Sequence, residues 1–187
     1  MKDSSASPLQ PTIPTLETER LRLRAFMLGD APSIERLLDT PEISRTTLNL
    51  AYPYPAGIAE RWIRSHGPSA EAGTGITWAI TLRETGDVLG AVSLDTVNEH
   101  RRGALGYWLG VSYWNHGYMT EAIAPVIAFA FADLDYVRVE ARHLPTNVAS
   151  GRVMEKAGMA HEGTLRSYVL KDGLPVDITM RAIVRAL

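Results

Sequence analysis

Leu21, Leu23 and Ala25 alternate with Arg20, Arg22 and Arg24, a period of two that predicts a half-buried strand closed by Gly29 and Asp30. The period then changes. Ile34, Leu37 and Leu38 share one helical face with Asp30 as the cap, and Ile58, Trp62 and Ile63 predict a second short helix over about 57–66. Between them Tyr52-Pro-Tyr-Pro55 is held extended by its prolines and offers a wall of aromatic rings. Residues 76–82 and 88–97 read as strands joined by Glu84-Thr-Gly-Asp87, a hairpin, and 105–111 as a third apolar strand. A helix opening near Thr120 places Ile123, Val126, Ile127, Ala130 and Leu134 on one face. Pro125 inside it costs roughly 3 kcal/mol in an ordinary helix interior, which predicts a kink or a relaxed first turn. Residues 136–141 form the next strand, 148–157 a helix that Gly158 terminates, and 163–170 with 176–183 a last hairpin around Lys171-Asp-Gly173. Strand, helix, strand and helix in the second half imply a right-handed crossover with parallel pairing.

The passage from the third strand into the long helix carries candidate chemistry. A strand ending at Val111, a loop containing Gly117 and a helix N-terminus leave several backbone N–H groups aimed the same way. With the positive end of the helix dipole, those donors suit a pyrophosphate.

Composition narrows the class. A chain of 187 residues, 45% hydrophobic, can bury a full core, and its length predicts one domain over 15–187 behind a loose leader over 1–14 that contains Pro8, Pro11 and Pro14. The net charge of -2, with 19 scattered basic residues, argues against nucleic acid and anionic membranes as partners. The chain has no cysteine, so a disulfide framework, a thiolate zinc site and a cysteine nucleophile are excluded, and no metal site is expected. Neither a signal-like apolar segment nor a run near the roughly 18 apolar residues of a membrane span is present, so a cytoplasmic location is expected. Gly103, Gly106 and Gly110 lack dinucleotide-fold spacing, and no P-loop, nucleophile elbow or His-Glu-x-x-His occurs.

A second constellation follows the 136–141 strand: Asn147-Val-Ala-Ser-Gly-Arg-Val-Met-Glu-Lys-Ala-Gly-Met159. Together with Tyr113-Trp-Asn-His-Gly-Tyr-Met-Thr-Glu-Ala122, the opening Leu16-Glu-Thr-Glu-Arg-Leu-Arg-Leu-Arg24 and the closing Tyr168-Val-Leu-Lys-Asp-Gly173, it resembles the GNAT superfamily of acyl-CoA-dependent N-acyltransferases, specifically the RimJ/RimL-like ribosomal-protein acetyltransferase branch. The resemblance implies an α/β (α+β) fold with a mixed, twisted sheet of six to seven strands flanked by helices. Two central parallel strands splay apart at the acyl-CoA site. It implies that main-chain groups of Trp108, Leu109, Gly110 and Val111 hold the pantetheine arm. The N–H groups of His116, Gly117, Tyr118, Met119, Thr120 and Glu121 would take the pyrophosphate, with the Thr120 hydroxyl as an extra donor. Ser150 matches a serine that assists the departing thiolate, and Asn147 an asparagine that bonds the pantetheine or the acceptor. Homodimerisation is implied as well, since exposed C-terminal strands pair in relatives.

The reaction so implied is acetyl transfer from acetyl-CoA to a primary amine, a protein N-terminus or a small molecule, by direct attack in a ternary complex. Such chemistry needs a neutral amine, a donor for the developing oxyanion and protonation of the thiolate. A backbone N–H near Leu109 or Gly110 is the oxyanion candidate. Glu99, His100 and Glu140 are candidate proton acceptors, directly or through water, and an amine that loses its proton before binding needs none. Leu105 occupies the position where many superfamily members carry a strand glutamate used as base. Tyr52, Tyr54, Trp62 and Tyr168 are candidate acceptor contacts, beside the alternative that the tryptophans are core packing. Asn147, Ser150 and Thr120 have helix capping as their structural alternative, Glu121 that of a first-turn acid, and the arginines of 20–24 that of a solvated strand face. The competing function is a non-catalytic acyl-CoA-binding sensor or interaction module, which would be expected to lose Asn147, Ser150 or Gly117; all three are present.

Overall fold

The computed structural model describes residues 13–185, so the expected leader lies, apart from its last two positions, outside the described residues. The chain opens with β1 (Leu16–Glu17) and β2 (Leu21–Arg24), the latter burying Leu21 and Leu23 as its alternation requires. Three helices follow where two were read: α1 (Ala31–Leu38), α2 (Pro41–Thr46) and α3 (Ile58–Glu71). The six residues of α2 bury only Ile43, too little periodicity to register in a sequence. Helix α3 runs through Pro68 to Glu71, past the expected end at about 66; Pro68 and Arg64, whose carbonyl loses its partner, both face solvent. Asp30 sits at the entry of α1 but makes no side-chain cap. Its carboxylate instead accepts a two-pronged pair from Arg24 at 2.8 and 2.9 Å and the Met27 N–H at 2.8 Å. Burial would raise its pKa, and these donors hold it below the ordinary value.

The expected hairpin is β3 (Gly75–Leu82) and β4 (Val88–Val97). Then come β5 (Arg102–Leu109), α4 (Tyr118–Ala132), β6 (Arg138–His143), α5 (Val148–Lys156), β7 (Ala160–Lys171) and β8 (Leu174–Val184). One sheet takes all eight strands in the order β1-β2-β3-β4-β5-β6-β8-β7, with β5 and β6 the parallel pair and the remaining neighbours antiparallel. Strand β5 ends two residues earlier than read, because Gly110 leads into a 3-10 turn over Val111–Tyr113.

Helices α4 and α5 cover one face, where Met119, Ala122, Ile123, Val126 and Met154 pack on Leu23, Ile80, Val92, Leu105 and Val139. Helices α1 to α3 cover the other, with Ile34, Leu38, Ile43 and Ile63 against Ala91 and Trp108. On this second side His66 is 7% exposed, neither ring nitrogen has a partner, and Phe26 and Trp62 pack against it. Burial lowers its pKa to about 4. Below its ordinary value of 6.5 the unfolded chain takes up a proton that the folded chain refuses, so this contribution to stability is complete above pH 6.5 and is lost as pH falls towards 4. A His66→Phe variant is expected to lose about 1–2 kcal/mol less than the wild type across that window, with solvent screening allowed for. Thermal unfolding of both proteins at pH 7 and 4.5 checks this; equal falls in Tm would contradict it.

Candidate active site

The parallel ladder runs from Arg102 opposite Arg138 to Leu105 opposite Ala141 and stops. Beyond it β5 continues to Leu109 on the arm of β4, and β6 to His143 on the arm of β8, so the two strands diverge. The resulting gap opens into a cleft of about 980 Å³ that passes from the first turn of α4, through the sheet, to the space beneath α2 and α3. Its walls come from both faces of the sheet.

Gly110 donates its N–H to the Leu89 carbonyl at 2.9 Å, which fixes the direction of every group before it. In an antiparallel ladder successive residues address opposite neighbours. Trp108 and Gly110 therefore bond towards β4, while Tyr107 and Leu109 turn their main-chain groups into the gap. The Leu109 carbonyl is taken by the Trp114 indole N–H at 2.7 Å, which leaves the Tyr107 and Leu109 N–H groups as donors facing the opening, the latter at its far end. Of the four residues expected to line this stretch with backbone, Trp108 and Gly110 bond towards β4.

Helix α4 opens at Tyr118, two residues before the expected start, because Gly117 at φ 79° swings the chain directly into the first turn. The Glu121 N–H is the first to close back, onto the Gly117 carbonyl at 3.1 Å, so Glu121 is not one of the outward donors. Tyr118, Met119 and Thr120 supply them, and all three line the cleft. The Glu121 carboxylate accepts the Thr18 hydroxyl at 2.6 Å, the Arg20 N–H at 2.9 Å and the Arg20 Nε at 2.7 Å. Burial raises its pKa and those donors, with the Arg20 charge, bring it below the ordinary value. Arg20, read as part of a solvated face, thus stands at the turn: its guanidinium lies 4.5 Å over the Tyr118 ring and would be 3.6 Å from a Cβ at residue 117. His116 points away. Its Nδ1 bonds the Trp114 carbonyl at 2.7 Å and its ring stacks on Tyr118 outside the cleft.

At the start of α5 the Asn147 side chain is occupied at both ends. Its Oδ1 accepts the Ser150 N–H at 3.0 Å as a helix cap, and its Nδ2 donates to the Thr46 carbonyl at 3.0 Å. Lys171 holds the same end of α2 from the C-terminal hairpin, donating to the Ser44 and Thr47 carbonyls at 2.8 Å each. Ser150 itself is differently engaged. Its Oγ lies 2.8 Å from the Tyr107 hydroxyl, a hydrogen bond in which either oxygen donates, and burial pushes the Tyr107 phenol up to about 12. Tyr107 was hidden in an apolar strand run; its place at the gap follows from strand parity. Arg152 and Lys156 line the cleft from α5 and add positive charge on the same side.

Tyr54, Trp62 and Tyr168 line the opposite side as expected, although Trp62 also packs on Phe26 at 5.1 Å. Tyr52, 51% exposed, is outside the cleft, in a shallow surface depression with Arg45 and Asp172. Glu99 and His100 lie on the exposed 3-10 turn between β4 and β5, also outside it. Glu140 does line the cleft, with its two oxygens held at 2.8 Å by Arg102 and by Arg138. Leu105 is 5% exposed and belongs to the core beneath α4. Asp95 and Arg142 complete the acceptor-side wall, and sequence reading singled out neither.

A parallel pair that parts beside a glycine-led helix N-terminus agrees with the match of residues 20–160 to a family model described as the acetyltransferase (GNAT) domain. The chain belongs to the GNAT acetyltransferase family. The N-acetyltransferase YoaA of Bacillus subtilis (strain 168) is 31% identical to it over 173 residues, 92% of this chain and 97% of that protein. RimL, the ribosomal L7/L12 alpha-N-protein acetyltransferase solved with coenzyme A, superimposes with a TM-score of 0.83 at 17% identity, covering 91% of this chain and 98% of that one. Mycobacterium smegmatis RimJ in complex with CoA-disulfide gives 0.79 at 23%, over 88% and 81%. GNAT enzymes use acetyl-CoA as acetyl donor, and this GNAT protein is an N-acetyltransferase. Among the described residues, no helix is long and apolar enough to cross a membrane.

Proposed function

We propose that this chain transfers the acetyl group of acetyl-CoA to a primary amine by direct attack within a ternary complex, and that a protein N-terminal α-amine is the acceptor. One observation carries the reading: the cleft runs unbroken from the first turn of α4, past the Tyr107–Ser150 hydroxyl pair, to the wall formed by Tyr54, Trp62 and Tyr168. The α-N-protein acetyltransferase activity named for RimL supports the choice of acceptor.

The donor substrate brings an activated thioester; the protein's own groups do the rest. The N–H groups of Tyr118 to Thr120 and the Arg20, Arg152 and Lys156 charges suit its phosphates. The Leu109 N–H faces the gap, where a carbonyl oxygen gaining negative charge would accept its hydrogen bond. The amine nitrogen forms the new C–N bond and sheds a proton, the C–S bond breaks, and Ser150, hydrogen-bonded to Tyr107, delivers a proton to the departing thiolate and regains one, through water, from the nitrogen. Asn147 positions Ser150 through the cap and lines the cleft itself, where its second amide hydrogen suits a carbonyl of the donor or the acceptor.

The test is free-thiol release from acetyl-CoA with alanyl and seryl peptides, spermidine, an aminoglycoside and free amino acids, with calorimetric titration of coenzyme A alongside. Saturable coenzyme A binding and thiol release with the peptides are expected. Release confined to a small amine would move the acceptor class, and absence of coenzyme A binding would overturn the reading.

A further inference from the structure

At pH 7 an N-terminal amine of ordinary pKa, about 8, enters a site as the ammonium ion roughly nine times in ten, and its lone pair is unavailable until a proton leaves. We propose that Asp95 on β4, five rungs along the sheet from Leu109, takes the proton of that ammonium through a chain of water molecules in the cleft, so that the neutral nitrogen can attack the thioester. The proposal rests on the acetyl-transfer reading above and adds the residue that completes its proton balance: the ammonium proton goes to Asp95 and on to solvent, and the second proton, shed by the nitrogen as the amide forms, returns through water to Ser150 in place of the one given to the thiolate.

Three observations support Asp95. The first is place. Asp95 pairs with Ala104 of β5 and Gly75 of β3, and strand parity puts it on the same sheet face as Ala91, Gly106 and Trp108, the floor of the acceptor side. The second is clearance. A Cβ at Gly75 would stand 3.1 Å from Asp95 Oδ1, and Ala104 and Gly106 are the small neighbours on β5, so the floor around the carboxylate is free of bulk. The third is availability. Among the described residues nothing hydrogen-bonds to the Asp95 carboxylate or forms a salt bridge with it, whereas Glu140 is held by Arg102 and Arg138, and Glu121 by Thr18 and Arg20. Glu99 and His100 are outside the cleft.

Titratable groups around it come from several elements. Arg142 and Glu140 face the same space from β6, the latter with Arg102 of β5 and with Arg138, while Tyr54 enters from the loop after α2 and Tyr168 from β7; β3 presents only Gly75 at this level. Asp95 remains exposed to solvent at the cleft wall; its partial desolvation there raises the carboxyl, and the Arg142 charge partly counters it. A carboxylate so raised is a better base than an aspartate of ordinary pKa.

Asp95→Asn in the full chain keeps the shape and removes the base. With an alanyl peptide amide as acceptor, kcat/KM is expected to fall at least about tenfold at pH 7, because only the free-base fraction of the amine can then react. The deficit should narrow to within about threefold by pH 9.5, where the amine deprotonates unaided, while calorimetric coenzyme A affinity stays within about twofold. Asp95→Glu, which restores a carboxylate, should recover part of the neutral-pH rate. A loss of equal size at every pH, or a wild-type profile in Asp95→Asn, would overturn the assignment. Wild-type protein that binds coenzyme A but acetylates neither the peptide nor spermidine would overturn acetyl transfer itself, and the role of Asp95 with it.

Discussion

Gly90→Ala should unfold about 2–4 kcal/mol more easily than the wild type, an effect larger than the usual cost of one extra methyl group. The reason is the strand pair that carries the Leu109 N–H. Gly90 of β4 lies opposite Leu109 of β5, and a Cβ there would stand 2.2 Å from the Trp108 carbonyl oxygen and 2.9 Å from the Leu109 Cα. Both are main-chain atoms, so no rotamer change relieves the overlap; the strands must part. Parting them loosens the Gly110 N–H bond to Leu89 and turns the very peptide that faces the gap. Urea denaturation gives the stability change, and thiol release from the fraction still folded should fall as well. An unchanged midpoint would mean that β4 and β5 separate here at little cost.

Ser150→Ala is expected to lower kcat about 10²-fold while coenzyme A affinity stays within about threefold. The substitution is informative because the duties at this helix start are divided between two residues. Asn147 Oδ1 caps the helix, whereas the Ser150 hydroxyl bonds the Tyr107 phenol and contributes nothing to the cap. Alanine is also the better helix former, so fold stability should hold within about 0.5 kcal/mol. The Tyr107 phenol, raised to about 12, remains protonated across the working pH range. A rate that falls with binding intact would therefore report proton delivery rather than a damaged helix. Unchanged turnover would remove Ser150 from the chemistry.

What the sequence reveals of this molecule is what local geometry determines. Gly117 at φ 79° and the apolar stripe of Met119, Ala122, Ile123 and Val126 follow from the residues themselves, and so do the two hairpins. The diverging parallel strands were legible through the resemblance and the crossover rule. Contacts made across the fold were not. Arg20 looks like a neighbour of Arg22 and Arg24 on a wet strand face, yet the sheet order carries it to Glu121 and Tyr118. Asp95 reads as one polar residue near a strand end; only the register with Ala104 and Gly75 shows the clearing around it. Asn147 carries the family's motif, and its free amide end is nonetheless occupied by the Thr46 carbonyl, 101 residues away. Glu99 and His100 have the right chemistry for a base, but an exposed turn holds them outside the cleft.

The last turn of α2 and the first residue of the loop after it have three carbonyls gripped by side chains that belong to other parts of the machine: Thr46 by Asn147, and Ser44 and Thr47 by Lys171. Acceptor choice is therefore not a detachable module in this fold. A segment transplanted from a relative into the wall around Tyr54 inherits two fixed anchor points, one on the helix that presents Ser150 and one on the last hairpin, and it must offer oxygens to both. Evolution of a new acceptor range has the same constraint: side chains along the loop are free to vary, while its backbone path is tied to the donor half of the enzyme.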